Sequence, residues 1–141
     1  MISPYIITII ASWLTAQGAK YIVVVMKNGT LKDLRQFYLS GNMPSAHSAT
    51  VVSMATIIGL ENGVNSAIFG LSAMVAGVVM YDAVMVRRSV GEQGLAIQAL
   101  VKMTKSQVPL PRAAKGHTPR EVLVGAVLGL AIGYIVFLLT K

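Results

Sequence analysis

The sequence predicts an all-α integral membrane protein, a single bundle of four transmembrane helices with a short interfacial helix. Three observations point there. Of 141 residues, 55% are hydrophobic and 12% charged, and mean hydropathy is +0.68. Every charged side chain falls outside four uncharged stretches, Met1–Ala19, Gln36–Leu60, Asn62–Tyr81 and Val122–Thr140. Each stretch reaches the ~18 residues that read as a membrane span. Between them lie turn and cap signals of the kind that end helices. This pattern excludes an ordinary soluble domain and disorder. The absence of cysteine excludes a disulfide scaffold and a Cys-ligated metal site.

The first span covers about residues 3–26. It lacks a basic n-region and is interrupted by Ser12, Thr15, Gln17 and Gly18, so it reads as a span rather than a cleaved signal peptide. Asn28-Gly29 ends it. Thr30 caps a short helix over about 31–39, with Leu31, Leu34, Phe37 and Tyr38 on one side and Lys32, Asp33, Arg35 and Gln36 on the other. That division suits an element lying on the membrane surface. The second span, about 45–60, opens at Pro44-Ser45 and stops before Glu61-Asn62-Gly63. The third, about 64–88, begins near Val64, carries Asp82 and Arg87-Arg88, and continues as a more polar helix until Pro109-Leu110-Pro111. A basic segment, 89–116, separates it from the last span, about 118–140, which opens at Thr118-Pro119. Gly125, Gly129 and Gly133 recur every four places, and Ala73/Gly77 and Ala55/Gly59 repeat the spacing. Such stripes let membrane helices approach closely and are assigned to packing. The same stripes leave a homodimer open.

The net charge of +7 flanks apolar spans, and aromatics are only 6%. Nucleic acid is therefore excluded as a partner, because the basic–aromatic interleaving of single-strand binders is missing. Lys27, Lys32 and Arg35 lie in one connection, and Arg87, Arg88, Lys102, Lys105, Arg112, Lys115 and Arg120 in another. The positive-inside bias sets both connections in the cytoplasm and both termini outside.

In that topology the N-terminal ends of spans two and four share the basic side. The two histidines, His47 and His117, sit at those ends. Helix N-termini offer unpaired N–H groups and favour anions. Two imidazoles with nearby Lys and Arg form a site shaped for phosphate at membrane depth, in which one ring attacks and the other moves a proton. Plainer roles stand beside this. Thr118-x-x-Glu121 is a capping box with proline at N1, and Ser45 is an N-cap. Arg87-Arg88 also reads as a stop-transfer pair, and Asp82 as a partly solvated surface carboxylate. The functional alternative for Asp82 is pairing with Lys20, Arg87 or Arg88, which positions the site.

Gly41-Asn42-Met43-Pro44-Ser45-Ala46-His47-Ser48-Ala49 resembles the Gly-Gly-Met-Pro-Ser-Ser-His-Ser-Ala signature of the divergent type-2 phosphatidic acid phosphatase family, also described as acid phosphatase/vanadium-dependent haloperoxidase-related. Asp82-x4-Arg87-Arg88-x2-Gly91-Glu92-Gln93 and Gly116-His117-Thr118-Pro119-x-Glu121-Val122 look like its other motifs, in order, so the resemblance covers nearly the whole chain. The resemblance implies three phosphate-site pieces. Lys20 and Lys27 stand for a Lys-x6-Arg-Pro motif, with Lys27 in place of arginine and Arg35 as a substitute fork. Pro44-Ser45-Ala46-His47 stands for Pro-Ser-Gly-His. His117-x3-Glu121 stands for the final His-x3-Asp, with Arg87 or Arg88 as the arginine that precedes it.

By the same resemblance, hydrolysis of a lipid phosphate monoester or pyrophosphate needs neither metal nor cofactor and is vanadate-sensitive. His117 attacks phosphorus and forms a phosphohistidine, Glu121 holds the imidazole's other nitrogen, and His47 protonates the leaving alcohol. Lys20, Lys27, Ser45, Arg87, Arg88 and Arg35 face the phosphate oxygens, and Asp82 supports them. The competing expectation is a catalytically silent relative that binds or translocates an anionic lipid. Membrane lipids are the surroundings in either case.

Overall fold

The computed structural model describes residues 3–28, 43–111, 113 and 116–141. Every regular element among them is helical: α1 (Pro4–Asn28), α2 (Ala46–Asn62), α3 (Ala67–Tyr81), a π-helical turn (Asp82–Val86), α4 (Arg87–Met103) and α5 (Pro119–Thr140). The expected interfacial helix at 31–39 lies outside the described residues.

Local chemistry sets the boundaries. The Ser45 hydroxyl caps α2, accepting the Ser48 N–H at 3.4 Å. Gly63, at φ +83°, ends that helix by donating its N–H to the Gly59 carbonyl at 3.0 Å, a left-handed conformation that glycine adopts without steric cost. The next helix starts at Ala67 rather than near Val64. Ser66 is its cap and accepts the Phe69 N–H, which leaves Val64 and Asn65 in the turn. At Thr118 the expected capping box is complete, with Pro119 in the first turn.

Three helical stretches are long and apolar enough to cross a membrane: Pro4–Met26, Ala67–Met103 and Pro119–Thr140. The middle one is longer than the sequence reading's 64–88. It is 37 residues of continuous helix, about 55 Å at the α-helical rise, against ~30 Å of hydrocarbon. Helix α2 is not among the three. It has 17 residues, about 25 Å, and lies packed among α1, α3 and α5.

The interior is built from small residues. On α1, Thr8, Ser12, Ala16, Lys20 and Val24 recur every fourth place, and all are buried. They form one inward face. The tightest seam joins α2 to α5. A Cβ added at Gly125 would lie 2.5 Å from the Ser45 carbonyl oxygen, and one at Gly133 2.6 Å from that of Ser53. At Gly129 it would collide with the Ala49 carbonyl. The three glycines of α5 therefore ride on the backbone of α2 at Ser45, Ala49 and Ser53. Here the packing role read from the sequence meets a definite partner. It does not at Gly77, where an added Cβ would meet nothing within 4 Å among the described residues.

These two glycines give opposite expectations. Gly129→Ala drives a methyl group into a backbone oxygen that has no rotamer to retreat to, so it should cost at least the ~1–3 kcal/mol of ordinary overpacking. Gly77→Ala should be neutral, or stabilising by up to about 1 kcal/mol through helix propensity. Thermal unfolding in detergent measures both, and equal midpoints for the two variants would contradict the seam.

Candidate functional site

One end of the bundle gathers the C-terminal part of α1, the N-termini of α2 and α5, and the junction of α3 with α4. Two backbone hydrogen bonds hold it. The Ser45 N–H donates to the Glu121 carbonyl at 3.1 Å, joining the two helix N-termini. The His117 N–H donates to the Ala83 carbonyl at 3.0 Å, joining α5 to the π-helical turn. The turn explains why that carbonyl is available. In an α-helix the Arg87 N–H would reach back four residues to Ala83. Here it reaches five, to the Asp82 carbonyl, so His117 takes the oxygen that Arg87 leaves.

His117 is buried, 6% exposed. Its Nδ1 lies 3.1 Å from Glu121 Oε2, and the same oxygen accepts the Thr118 N–H at 3.0 Å. Glu121 thus caps α5 and orients the ring at once. With Nδ1 turned to the carboxylate, Nε2 is the nitrogen left to face a ligand. Gly116 sits so close to the Arg88 backbone that an added Cβ would fall 2.5 Å from its Cα. This contact brings the residue before His117 onto α4.

His47 occupies the first turn of α2 and is exposed. It lies within electrostatic reach of Arg87, His117, Lys20 and Asp82. Lys20 is buried in α1, 6% exposed, and in electrostatic reach of Glu121. Arg87 donates through Nε to Asp82 Oδ2, so Asp82 finds one of the partners expected for it. Arg88 instead binds Glu92 at 3.1 Å on the exposed side of α4. Ser45 is fully buried. Its Oγ accepts from Ser48 Oγ at 2.9 Å as well as from the Ser48 N–H, which places it as a cap beneath the site. The side chain of Lys27 and the whole of Arg35 lie outside the described residues.

The structure therefore brings together His47, His117, Glu121, Lys20, Arg87 and Asp82. It turns Arg88 outward to Glu92. Sequence reasoning missed Ala83, Gly116 and Ser48, which act through backbone contact or by supporting Ser45. Gly116 and Ser48, each beside a histidine in a motif, carried a visible signal, and Ala83 carried none. Among the described residues no group of three or more His, Asp or Glu side chains could hold a metal ion.

A membrane protein of Bacillus subtilis (strain 168), named uncharacterized membrane protein YuiD, is 36% identical over 108 residues, covering 66% of this chain and 68% of that one. No solved structure matches. Residues 2–132 match the Divergent PAP2 family. That match spans α1 to most of α5 and both histidines, so the chain belongs to the Divergent PAP2 family of membrane proteins.

Proposed function

We propose that this protein hydrolyses a lipid phosphate monoester or pyrophosphate within the membrane, through a phosphohistidine on His117. The observation that carries the reading is the Glu121–His117 pair at 3.1 Å, with His47 and Lys20 facing the same end. Glu121 holds Nδ1–H and leaves the Nε2 lone pair for attack on phosphorus. As the Nε2–P bond forms, the P–O bond to the lipid alcohol breaks and His47 gives that oxygen a proton. In the second step His47 takes a proton from water. The resulting hydroxide attacks phosphorus, the N–P bond breaks, and inorganic phosphate leaves. Lys20, buried, and Arg87, more exposed but fixed by Asp82, supply positive charge to the equatorial oxygens as preorganised groups. Lys27 and Arg35 belong to the same proposed cradle by motif. Arg88 contributes its backbone, under Gly116, more than its guanidinium.

In this reading α2 is the fourth crossing. It is short, but its neighbours shield it, and a span surrounded by protein need not match the full bilayer thickness alone. The basic residues at the site end support a cytoplasmic placement, where they would also draw anionic headgroups. A second reading is favoured by one observation: Arg87 and Arg88 are both already paired with carboxylates, Asp82 and Glu92. A pocket with its arginines so occupied suits binding or translocation of an anionic lipid without turnover.

Two experiments separate them. Purified protein incubated with phosphate-labelled phosphatidate and quenched in base should carry label on His117, and His117→Ala should carry none and release no phosphate. Binding of the lipid with neither label nor release would favour the second reading. His47→Ala should slow steady-state phosphate release by ~10²–10⁴, the usual worth of general acid–base help. With p-nitrophenyl phosphate, whose leaving group needs no proton, the same variant should accumulate phosphoenzyme, because only the water step is then impaired. An unaltered rate for His47→Ala with the lipid would remove that residue from the mechanism.

A further inference from the structure

We propose that the apolar groove between α2 and α3 seats a hydrocarbon chain of the same lipid whose phosphate is held between His47 and His117. This rests on the reading of the site as a lipid-phosphate site. The groove has a volume of about 220 Å³ and is lined by Val51, Met54 and Ile58 of α2 and by Ile68, Leu71 and Val75 of α3. Ser72 also faces it, but its hydroxyl donates to the Phe69 carbonyl at 2.8 Å. The wall offers a chain methylene groups and no unsatisfied donor. At the far end the Phe69 ring lies against Gly59, where an added Cβ would be 2.8 Å from the ring.

Helical spacing ties the groove to the site. His47, Val51, Met54 and Ile58 stand at i, i+4, i+7 and i+11, one face of α2. Ile68, Leu71, Val75 and Asp82 stand at i, i+3, i+7 and i+14, one face of α3 carried up to the π-helical turn. The helices run in opposite directions, so the two faces converge on a polar end made of His47 and the Asp82–Arg87 pair, which lie within electrostatic reach of each other. Below it the lining is apolar. A phosphate at the top and a chain beneath is the arrangement of a lipid phosphate in one leaflet. From Val51 to Ile58 the groove follows about 10 Å of helix, roughly a third of the ~30 Å hydrocarbon core. It holds the first part of one chain and leaves the rest in lipid.

Lipid tails are as apolar as leucine, so seating a chain here brings no hydrophobic gain. The groove acts by position: it fixes the chain and through it the phosphorus. A displacement of ~1 Å at a reacting centre can cost ~10²-fold in rate.

Val75→Phe, outside the catalytic groups, fills the groove. It should lower hydrolysis of long-chain phosphatidate in proteoliposomes by about 10- to 100-fold and leave hydrolysis of chainless p-nitrophenyl phosphate unchanged. An equal fall on both substrates, or no fall on the lipid, overturns the proposal. A second measurement does not need turnover. A phosphatidate carrying a diazirine in its chain should label the α2 and α3 groove segments in wild type and in His117→Ala alike, and Val75→Phe should abolish that labelling. Labelling elsewhere overturns the proposal, and so does equal labelling by the matching diacylglycerol, which marks bulk lipid. A change of oligomeric state in Val75→Phe would assign the groove to a second copy and overturn it too. Failure of wild type to hydrolyse either phosphate, with groove labelling intact, would instead sink the catalytic reading alone.

Discussion

The close approach of α5 to α2 is the constraint from which the rest follows. Three glycines four residues apart remove the side chains that would hold the helices apart, and α5 settles onto the carbonyls of Ser45, Ala49 and Ser53. In lipid there is no hydrophobic force to drive helices together, so dispersion contact and hydrogen bonds must do it. The seam delivers the first directly. It also delivers the second, because only at this separation can the Ser45 N–H reach the Glu121 carbonyl. Two helix N-termini that repel as dipoles are thereby held side by side, and their combined positive end faces the histidines. An anion is what that juxtaposition favours most.

Glu121 links stability to the proposed chemistry. One carboxylate oxygen accepts from the Thr118 N–H and faces His117 Nδ1, so the group that closes the capping box also selects the nitrogen that faces the site. A cap is worth about 0.5–2 kcal/mol to its helix. The orienting role is worth more to a reaction, since a misaligned nucleophile loses its advantage steeply. The π-helical turn extends the logic to α3. It frees the Ala83 carbonyl for the His117 amide, so ring and backbone of the same residue are fixed by two different helices. π-helical turns are often found at functional sites, and here the purpose of the displaced hydrogen bond is visible.

How much of this the sequence disclosed depends on whether a feature is local or relational. The Ser45 cap, the Thr118/Glu121 box and the helical character of each apolar stretch are local, and they were legible as residue types at fixed spacings. The approach of His47 to His117 was expected from four alternating spans; the structure sets both at one end of the bundle, with three stretches, α2 not among them, long and apolar enough to cross a membrane. The partner of the glycine stripe was not legible, since a stripe states that something comes close and not what. The pairing of Arg88 with Glu92 was local, an ordinary i, i+4 pair on α4. The pairing of Arg87 with Asp82, five places back across the π-helical turn, was not. Val64 misled because it is apolar yet lies with Asn65 in the turn between the Gly63 stop of α2 and the Ser66 cap of α3. Residues 31–39, with Arg35, lie outside the described residues.

The loose attachment of α3 completes the physical picture. Among its residues Ala76 alone is buried, and it touches the bundle chiefly along α2, with the Ala83–His117 hydrogen bond beyond its upper end. On the proposed reading, the α2–α3 groove beside this helix is a lateral opening toward lipid. For a water-soluble substrate such an opening would be a defect, since it admits hydrocarbon to a polar site. For a lipid phosphate it is the cheapest route. Lifting a chain into water costs about 0.8 kcal/mol for each methylene, whereas sideways entry keeps the chain in apolar surroundings throughout. The phosphate then travels at headgroup level and meets the cations of the site end without crossing the hydrocarbon. An exposed α3 and a buried His117 are, on the proposed reading, two halves of one arrangement: the first lets the lipid in along the leaflet, and the second keeps the attacking ring fixed until it arrives.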